Sequence, residues 1–299
     1  MSKKSHHSKT SDMDKRKVTV IITVRNGERH IKEAISSVLS QSFQDFELVV
    51  VDDGSIDRTL SEVLAFDDPR IRLIYKSHHY VDSLNTGLSE ARGEYIAILD
   101  HDDLMMPNRL ECQVKVMDTF KDLTVCGGRM AVFKDDDISN TRITALTAPG
   151  FVKHPLWRML GGNFICNPTA MIRTSFLRER GLSYDPALPF APDFKLWLDI
   201  AKASGSFFLL DTPLTYYRIS KSQMTQQSHK QQRENALAIR QMALEKLLSV
   251  TNWGKNAAGM AAWQADMQQM RTARLLTDDD LLHIYYMLFK NLYSVQQRM

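Results

Sequence analysis

Three carboxylates at the end of an apolar run are the first candidates for chemistry in this chain. The run Tyr95-Ile96-Ala97-Ile98-Leu99 reads as a buried β-strand, and it passes directly into Asp100-His101-Asp102-Asp103. Carboxylates at near-alternate spacing offer hard oxygen ligands. They suit Mg²⁺ or Mn²⁺, ions that keep coordination positions open for substrate phosphates. The competing reading is structural, because Asp is favoured at helix N-termini and a helix is expected to start near Pro107.

Such a site needs a scaffold, and the preceding residues supply one. Val18 to Val24 is a β-branched strand pattern, after which Ile31, Ile35, Val38 and Leu39 recur at helical spacing. Leu48 to Val51 predicts a second strand ending in Asp52-Asp53-Gly54-Ser55, where Gly permits a tight turn and Ser can begin a helix. Ile71 to Tyr75 and Tyr95 to Leu99 predict a third and a fourth. Strands alternating with helices imply right-handed crossovers and an α/β fold, a mostly parallel sheet flanked by helices. Ligands of such sheets collect beyond the carboxyl ends of the strands, where Arg25-Asn26-Gly27, Asp52-Asp53 and Asp100 to Asp103 all fall. The first turn, Thr23-Val24-Arg25-Asn26-Gly27-Glu28, lacks the glycines of a dinucleotide-binding loop and the Lys-Ser/Thr pair of a Walker-A loop. A bound diphosphate would therefore need neutralising by a metal on acidic residues.

Composition narrows the class further. The 299 residues are 43% hydrophobic, ample for a core, and the formal charge is +3. Residues 1–17 contribute +4 of that charge and leave about −1 for the remainder, so the body is not a nucleic-acid-binding surface. This first segment is Ser/Lys/His-rich without an apolar run, and it is expected to be a disordered basic tail. Cys112, Cys126 and Cys166 have no C-x-x-C spacing, which argues against a disulfide framework and a zinc site and for a reducing compartment. No stretch reaches the ~20 apolar residues of a bilayer span. The expectation is a cytoplasmic protein, with association at the inner face of the membrane left open.

Several ordered motifs together resemble glycosyltransferase family 2, of GT-A fold: Val18 to Asn26, Val49 to Asp57, Ser83-Leu84-Asn85-Thr86-Gly87, Gly93 to Asp103, and Pro107-Asn108-Arg109-Leu110. The resemblance covers residues 18–220, with a nucleotide-binding half at 18–110 and an acceptor half at 111–220. It implies an inverting transfer of one sugar from a nucleotide diphosphate, most often UDP, to a hydroxyl of a glycan or lipid-linked acceptor in polysaccharide biosynthesis. By the same resemblance Asp52 reads the nucleobase, Thr23, Arg25 and Glu28 line its pocket, and Asp53, Asn85, Asp100 and His101 belong to the donor side. Asp100 and Asp102 match the D-x-D pair, with Asp102 as the direct ligand of Mn²⁺ or Mg²⁺; Asp103 either contacts the sugar or caps the following helix. His101 is expected behind the metal or facing solvent. The usual Pro-x-Tyr-Asn turn reads Thr23-Val24-Arg25-Asn26 here, without the stacking aromatic.

In the second half, Leu156 to Arg173 resembles the segment facing acceptor and donor sugar, which brings in Asn163 and Trp157. Trp157 is either a sugar platform or a core residue. Asp193 occupies the position of the family's catalytic base, with Pro192 where a Glu is usual; its alternative is a carboxylate that only favours the helix dipole. Arg218 matches the closing Tyr-Arg and would hold the diphosphate or Asp193, while Asp199 is expected to be structural. Residues 221–299 read as a helical extension: Ser228 to Leu248, Lys255 to Leu276, and Leu281 to Tyr293 behind a Thr277 cap. Packing of Leu281 to Phe289 on the catalytic domain is expected, with a homodimer contact or an interfacial anchor as alternatives. The Gln-x-x-Arg-Trp motif of processive synthases is missing, which favours single-sugar transfer. A nucleotidyltransferase and an inactive sugar- or nucleotide-binding scaffold are the rival readings.

Overall fold

The computed structural model describes residues 16–76, 79–134, 137–145, 148–219, 228–250, 257–273 and 275–296. The basic tail up to residue 15 and the junction at 220–221 lie outside the described residues. Strands β1 (Val18–Val24), β2 (Phe46–Asp52), β3 (Ile71–Tyr75) and β4 (Tyr95–Asp100) alternate with helices α1 (Ile31–Leu39), α2 (Thr59–Leu64) and α3 (Tyr80–Glu90). After β5 (Leu104–Met105) come α4 (Arg109–Thr119), β6 (Val125–Lys134), β7 (Arg142–Ile143), β8 (Gly150–Phe151), α5 (Pro155–Gly161), β9 (Met171–Arg173), α6 (Thr174–Arg180), α7 (Pro192–Lys202) and β10 (Phe207–Ile219). Three helices close the chain, His229–Val250, Ala257–Thr272 and Asp278–Gln296.

The sheet runs β3-β2-β1-β4-β9-β6-β10-β5. Its first four strands are parallel, as their separation by helices requires, and so is the long β6–β10 pair. The short strands β5, β7, β8 and β9 pair antiparallel, so the acceptor half is mixed. Period-two alternation divides the apolar residues between two cores. Val18, Val20, Ile22, Tyr95, Ala97 and Leu99 face α1 and α4 on one side. Ile21, Ile96 and Ile98 face α3, α5 and α7 on the other.

Two helix starts fall later than the sequence suggests. Helix α2 begins at Thr59, because Ser55 is used in the turn: its N–H donates to Asp52 Oδ1 at 2.8 Å and its Oγ accepts from Asn26 N at 2.9 Å. Helix α4 begins at Arg109, and its N-cap Asn108 makes no side-chain cap bond. The C-terminal helices are not a separate layer. Leu237, Ile239, Ala243, Leu244, Leu281 and Tyr285 are buried in the same core as Phe194 and Trp197. The face carrying Leu281 and Tyr285 is thus covered by this chain's own body, which removes those residues from a homodimer or lipid contact. Thr277 caps the last helix as expected, with its Oγ1 accepting from Asp280 N at 3.1 Å and Asp280 Oδ2 accepting from Thr277 N at 2.8 Å.

One fully buried cation joins the halves of the sheet. Arg109 Nη2 donates to Ile98 O at 2.9 Å and Ala170 O at 3.0 Å, and Nη1 donates to Pro168 O and to Thr215 Oγ1. Its Nε donates to Gln113 Oε1 at 3.0 Å, and Gln113 Nε2 donates in turn to Cys126 O and Thr169 O. Burial lowers the Arg109 pKa to about 9, which still leaves the guanidinium charged at neutral pH. Replacing Arg109 with Met would take the guanidinium from all of these acceptors, leaving Pro168 O to the Thr215 hydroxyl and Ala170 O to Ile98 N. Urea unfolding of Arg109→Met should show a loss of about 3–5 kcal/mol, whereas a loss below about 1 kcal/mol would mean that the guanidinium contributes no more than a surface ion pair.

Candidate active site

The turns after β1 and β2 are laced together, and this builds the first wall of the site. Asn26, at φ 51°, accepts from Ile56 N through Oδ1, Gly27 N donates to Thr59 Oγ1, and Glu28 N donates to Asp57 Oδ2. Register places Val24 opposite Asp52 and Thr23 opposite Asp100, so both acidic strand ends flank the end of β1. Asp52 is fully buried. Its Oδ2, like Thr23 Oγ1, has no partner among the described residues. A buried carboxylate oxygen without a donor is costly, and a ligand N–H would relieve that cost.

Three residues assigned to this pocket from sequence are engaged otherwise. Asp53 Oδ1 accepts from His79 N at 2.9 Å and Ser83 Oγ at 2.7 Å, which anchors the start of α3. Asn85 forms a reciprocal pair with a distant backbone: Oδ1 accepts from Tyr184 N at 2.8 Å and Nδ2 donates to Tyr184 O at 2.9 Å. Both of its polar atoms are thereby used in joining α3 to the segment before α7. Glu28 accepts from Arg58 N and Nε, which holds its carboxyl below the usual range. Arg25 is exposed. His101 is half-buried against Gly27, where an added Cβ would lie 2.6 Å from His101 Cδ2, and burial pushes its pKa down.

The second wall is the acidic end of β4. Burial, then the charges of Asp102 and Asp193, push Asp100 up to about 7. Asp103 departs from expectation. It is fully buried, its Oδ1 accepts from Arg218 N at 2.9 Å and its Oδ2 has no partner among the described residues, so it neither caps α4 nor reaches a surface where sugar could bind. Burial, with Asp100 and Asp102 nearby, raises its proton affinity strongly. Arg218 is not available to Asp193 or a diphosphate either. Its Nε donates to Asp102 O at 2.8 Å, its Nη2 pairs with Glu33 at 2.7 Å, and its guanidinium lies 4.8 Å from the Phe133 ring centroid. It fixes the backbone of the acidic loop.

Helix α7 brings Asp193 to the same place from the second half of the sequence. Pro192 begins the helix with a preset φ and Asp193 follows in its first turn. Asp193 Oδ2 accepts from Asn163 Nδ2 at 2.8 Å, while Asn163 Oδ1 accepts from Ile165 N at 3.2 Å, which orients the amide. Burial raises the Asp193 pKa against the lowering effect of its hydrogen bonds. Asp199 is tied to Lys195 at 2.6 Å, a structural pairing. Trp157 is partly buried against the core.

Two tyrosines at this site carry no sequence signal. Tyr80, at the start of α3, is surrounded by Asp100, Asp193, Asp102 and Asp53, which together with burial drive its phenol pKa up. Tyr184 is buried beneath Asp193, and its hydroxyl donates to Asn167 Oδ1 at 3.4 Å. Among the described residues no three His, Cys, Asp or Glu side chains form a preformed metal cage. The Asp100–Asp102 pair nevertheless fits a hard divalent cation that completes its shell with phosphate and water. Burial, with the neighbouring charges of Asp102 and Asp193, raises the proton affinity of Asp100, and a cation bound there would oppose that rise.

Comparison with known proteins agrees with this architecture. The family described as Glycosyl transferase family 2 matches residues 19–181, more than half of the chain. An uncharacterized glycosyltransferase of Haemophilus influenzae is 30% identical over 75% of this chain and 72% of its own length. The UDP-Glc:alpha-D-GlcNAc-diphosphoundecaprenol beta-1,3-glucosyltransferase WfgD of Escherichia coli is 29% identical over 73% of this chain and 83% of its own. Among solved structures, S. aureus TarS in complex with UDP-GlcNAc superposes with a TM-score of 0.61 at 19% identity, covering 81% of this chain and 75% of that one. The mannosyltransferase PcManGT from Pyrobaculum calidifontis, in complex with GDP-Man and Mn²⁺, gives 0.55 at 18% identity over 94% and 88%. These structural likenesses bear on the GT-A fold; the family match and the relatives bear on the chemistry. The chain is a glycosyltransferase and belongs to glycosyl transferase family 2.

Proposed function

We propose that the protein transfers a single sugar, with inversion, from a nucleotide diphosphate sugar, most simply a UDP-sugar, to a hydroxyl of a glycan or lipid-linked acceptor in polysaccharide biosynthesis. The observation that carries this reading is the meeting of Asp193 with Asp100. Two carboxylates from opposite halves of the fold lie close enough for one to raise the proton affinity of the other. The names of relatives support the donor and acceptor classes, since WfgD uses UDP-Glc on a diphosphoundecaprenol-linked sugar and TarS was solved with UDP-GlcNAc.

In this reading the orphaned Asp52 Oδ2 accepts a nucleobase N–H beside Thr23. Asp102 and Asp100 would hold Mn²⁺ or Mg²⁺, which supplies electrostatic stabilisation of the departing diphosphate when bound. Asp193 takes the proton of the acceptor hydroxyl, and the oxygen attacks the anomeric carbon on the face opposite the diphosphate. Backbone N–H groups at the start of α7 and the Asn163 amide both bond the Asp193 carboxylate, which holds it in one orientation toward the acceptor proton.

Four measurements test this reading. Calorimetric titration of UDP and GDP, with and without Mn²⁺, should show metal-dependent binding of one nucleotide that Asp102→Ala abolishes. Binding of neither would turn the reading toward a scaffold. Asp193→Asn should keep donor affinity and lose about 10²- to 10⁴-fold in turnover. The wild-type rate should fall as pH drops through a value above the ordinary carboxylate range, because the base acts ionised and burial raises its pKa. Retained anomeric configuration in the product by NMR would exclude a single displacement.

A fifth measurement concerns stability. Asp100 binds its proton more tightly folded than unfolded, so chelator-treated protein should lose stability as pH rises from about 4 to about 7. Asp100→Asn should flatten that dependence and raise Tm at pH 7.5 by about 2–4 °C, the shift one kcal/mol produces in a domain of this size. An unchanged slope would show that Asp100 is ionised without cost.

A further inference from the structure

The residue that holds Asp193 stands directly after two glycines. Gly161 ends α5, and Gly162 takes φ 129° and ψ −177°, a conformation open essentially to glycine alone. A Gly-Gly link has more conformational freedom than any other pair, so by itself it would leave Asn163 poorly aimed. Gly162 N donates to Met159 O at 3.1 Å in the last turn of α5, and a second hold, on the Gly161 carbonyl, comes from the C-terminal helices. Arg240, on the helix His229–Val250, donates through Nη2 to Gly161 O at 3.4 Å and through Nη1 to Leu282 O at 3.0 Å. One guanidinium thus ties two of the C-terminal helices to the end of α5.

Arg240 lies directly over the link, since a Cβ added at Gly162 would meet Arg240 Nη2 at 3.1 Å. Arg240 is kept there at a cost. Burial lowers its pKa to about 10, and its buried Nε has no partner among the described residues. Leu237, Ile239, Ala243 and Leu244 on the same helix already fill the apolar core shared with Met159 and Leu160 of α5. Packing alone would be served by an apolar residue at position 240, so the guanidinium is needed for the carbonyls it holds.

We propose that Arg240 is a positioning residue for the transfer reaction: by holding the Gly161 carbonyl it fixes the Gly161–Gly162 link, and with it the Asn163 amide that orients Asp193. The C-terminal helices are then part of the catalytic apparatus rather than an appendage to it. This inference rests on the reading of Asp193 as the base, and its test separates the two.

The Asn163 side-chain amide is followed in a ¹H–¹⁵N spectrum of the full chain, its peak pair identified by loss in Asn163→Ala. Asp193→Asn should shift that pair in an otherwise unchanged spectrum. Arg240→Met should shift or broaden it too, lower turnover about 10- to 100-fold and leave calorimetric donor affinity as in wild type. Arg240→Lys, which keeps a donor for one carbonyl, should recover part of the turnover and also serves should the Met variant not fold. An Asn163 pair at its wild-type position in folded Arg240→Met, or in Arg240→Lys with lowered turnover, overturns the proposal, as does a loss of donor affinity equal to the loss of turnover. Should Asp193→Asn keep full turnover while Arg240→Met moves the amide, the positional coupling stands and the assignment of the base falls.

Discussion

The geometry of this site depends on a positive charge that never meets substrate. Arg109 is buried between the halves of the sheet and donates to the carbonyls of Ile98, Pro168 and Ala170 and to the Thr215 hydroxyl. Ile98 stands two residues before Asp100, and Thr215 stands three before Arg218, whose backbone N–H bonds to Asp103. The guanidinium therefore fixes how far the acidic end of β4 lies from β10 and from the segment that leads into β9. The parallel half alone could not do this, because β9 is only three residues long and its ladder to β4 is correspondingly weak. Arg109 also opposes the negative potential at Asp100, which would otherwise bind its proton more tightly still.

Against that fixed frame the site accumulates carboxylates at real cost. Asp52, Asp100, Asp102, Asp103 and Asp193 gather at one sheet edge, and burial raises the proton affinity of Asp100, Asp103 and Asp193. A fold selected for stability alone would dilute such charge with lysine or arginine. Here the arginine nearest the acidic loop, Arg218, is spent on a backbone carbonyl and on Glu33, and Lys195 is spent on Asp199 and Asp185. The acidic edge, opposed in part by Arg109 and Arg218, suits a divalent cation, whose charge offsets the carboxylates and lets a diphosphate approach them.

The strands and their acidic ends were legible because their signals are local. Apolar runs of period two, closed by Asp52 or Asp100, determine both the element and the edge on which the carboxylate sits. The partners of those carboxylates were not legible, because they come from far along the chain. Asn85 looks like a ligand-facing amide until Tyr184 is seen to occupy both its polar atoms across 99 residues. Arg218 and Asp103 were misplaced for the same reason: a Tyr-Arg ending and an acidic triplet advertise charge, and only packing reveals which charges face inward. Tyr80 and Tyr184 had no pattern to announce them, since an aromatic near a helix start is ordinary. The C-terminal helices have weak amphipathic patterning, and their share of the core follows from the α5 and α7 faces that receive them.

Pro192 shows how a departure from the family pattern can be read physically. A Glu before Asp193 would add one more carboxylate to an edge where Asp100 already binds its proton with an affinity near neutrality. Proline adds no charge. It fixes φ at the first position of α7, where its missing N–H costs nothing, and it is buried together with Phe194 and Trp197 below it. The first turn carrying Asp193 is thereby stiffened by a covalent ring rather than by a second acid. Orientation of the carboxylate is shared by the backbone N–H of Phe194 and by Asn163, whose amide follows directly on the Gly161–Gly162 link.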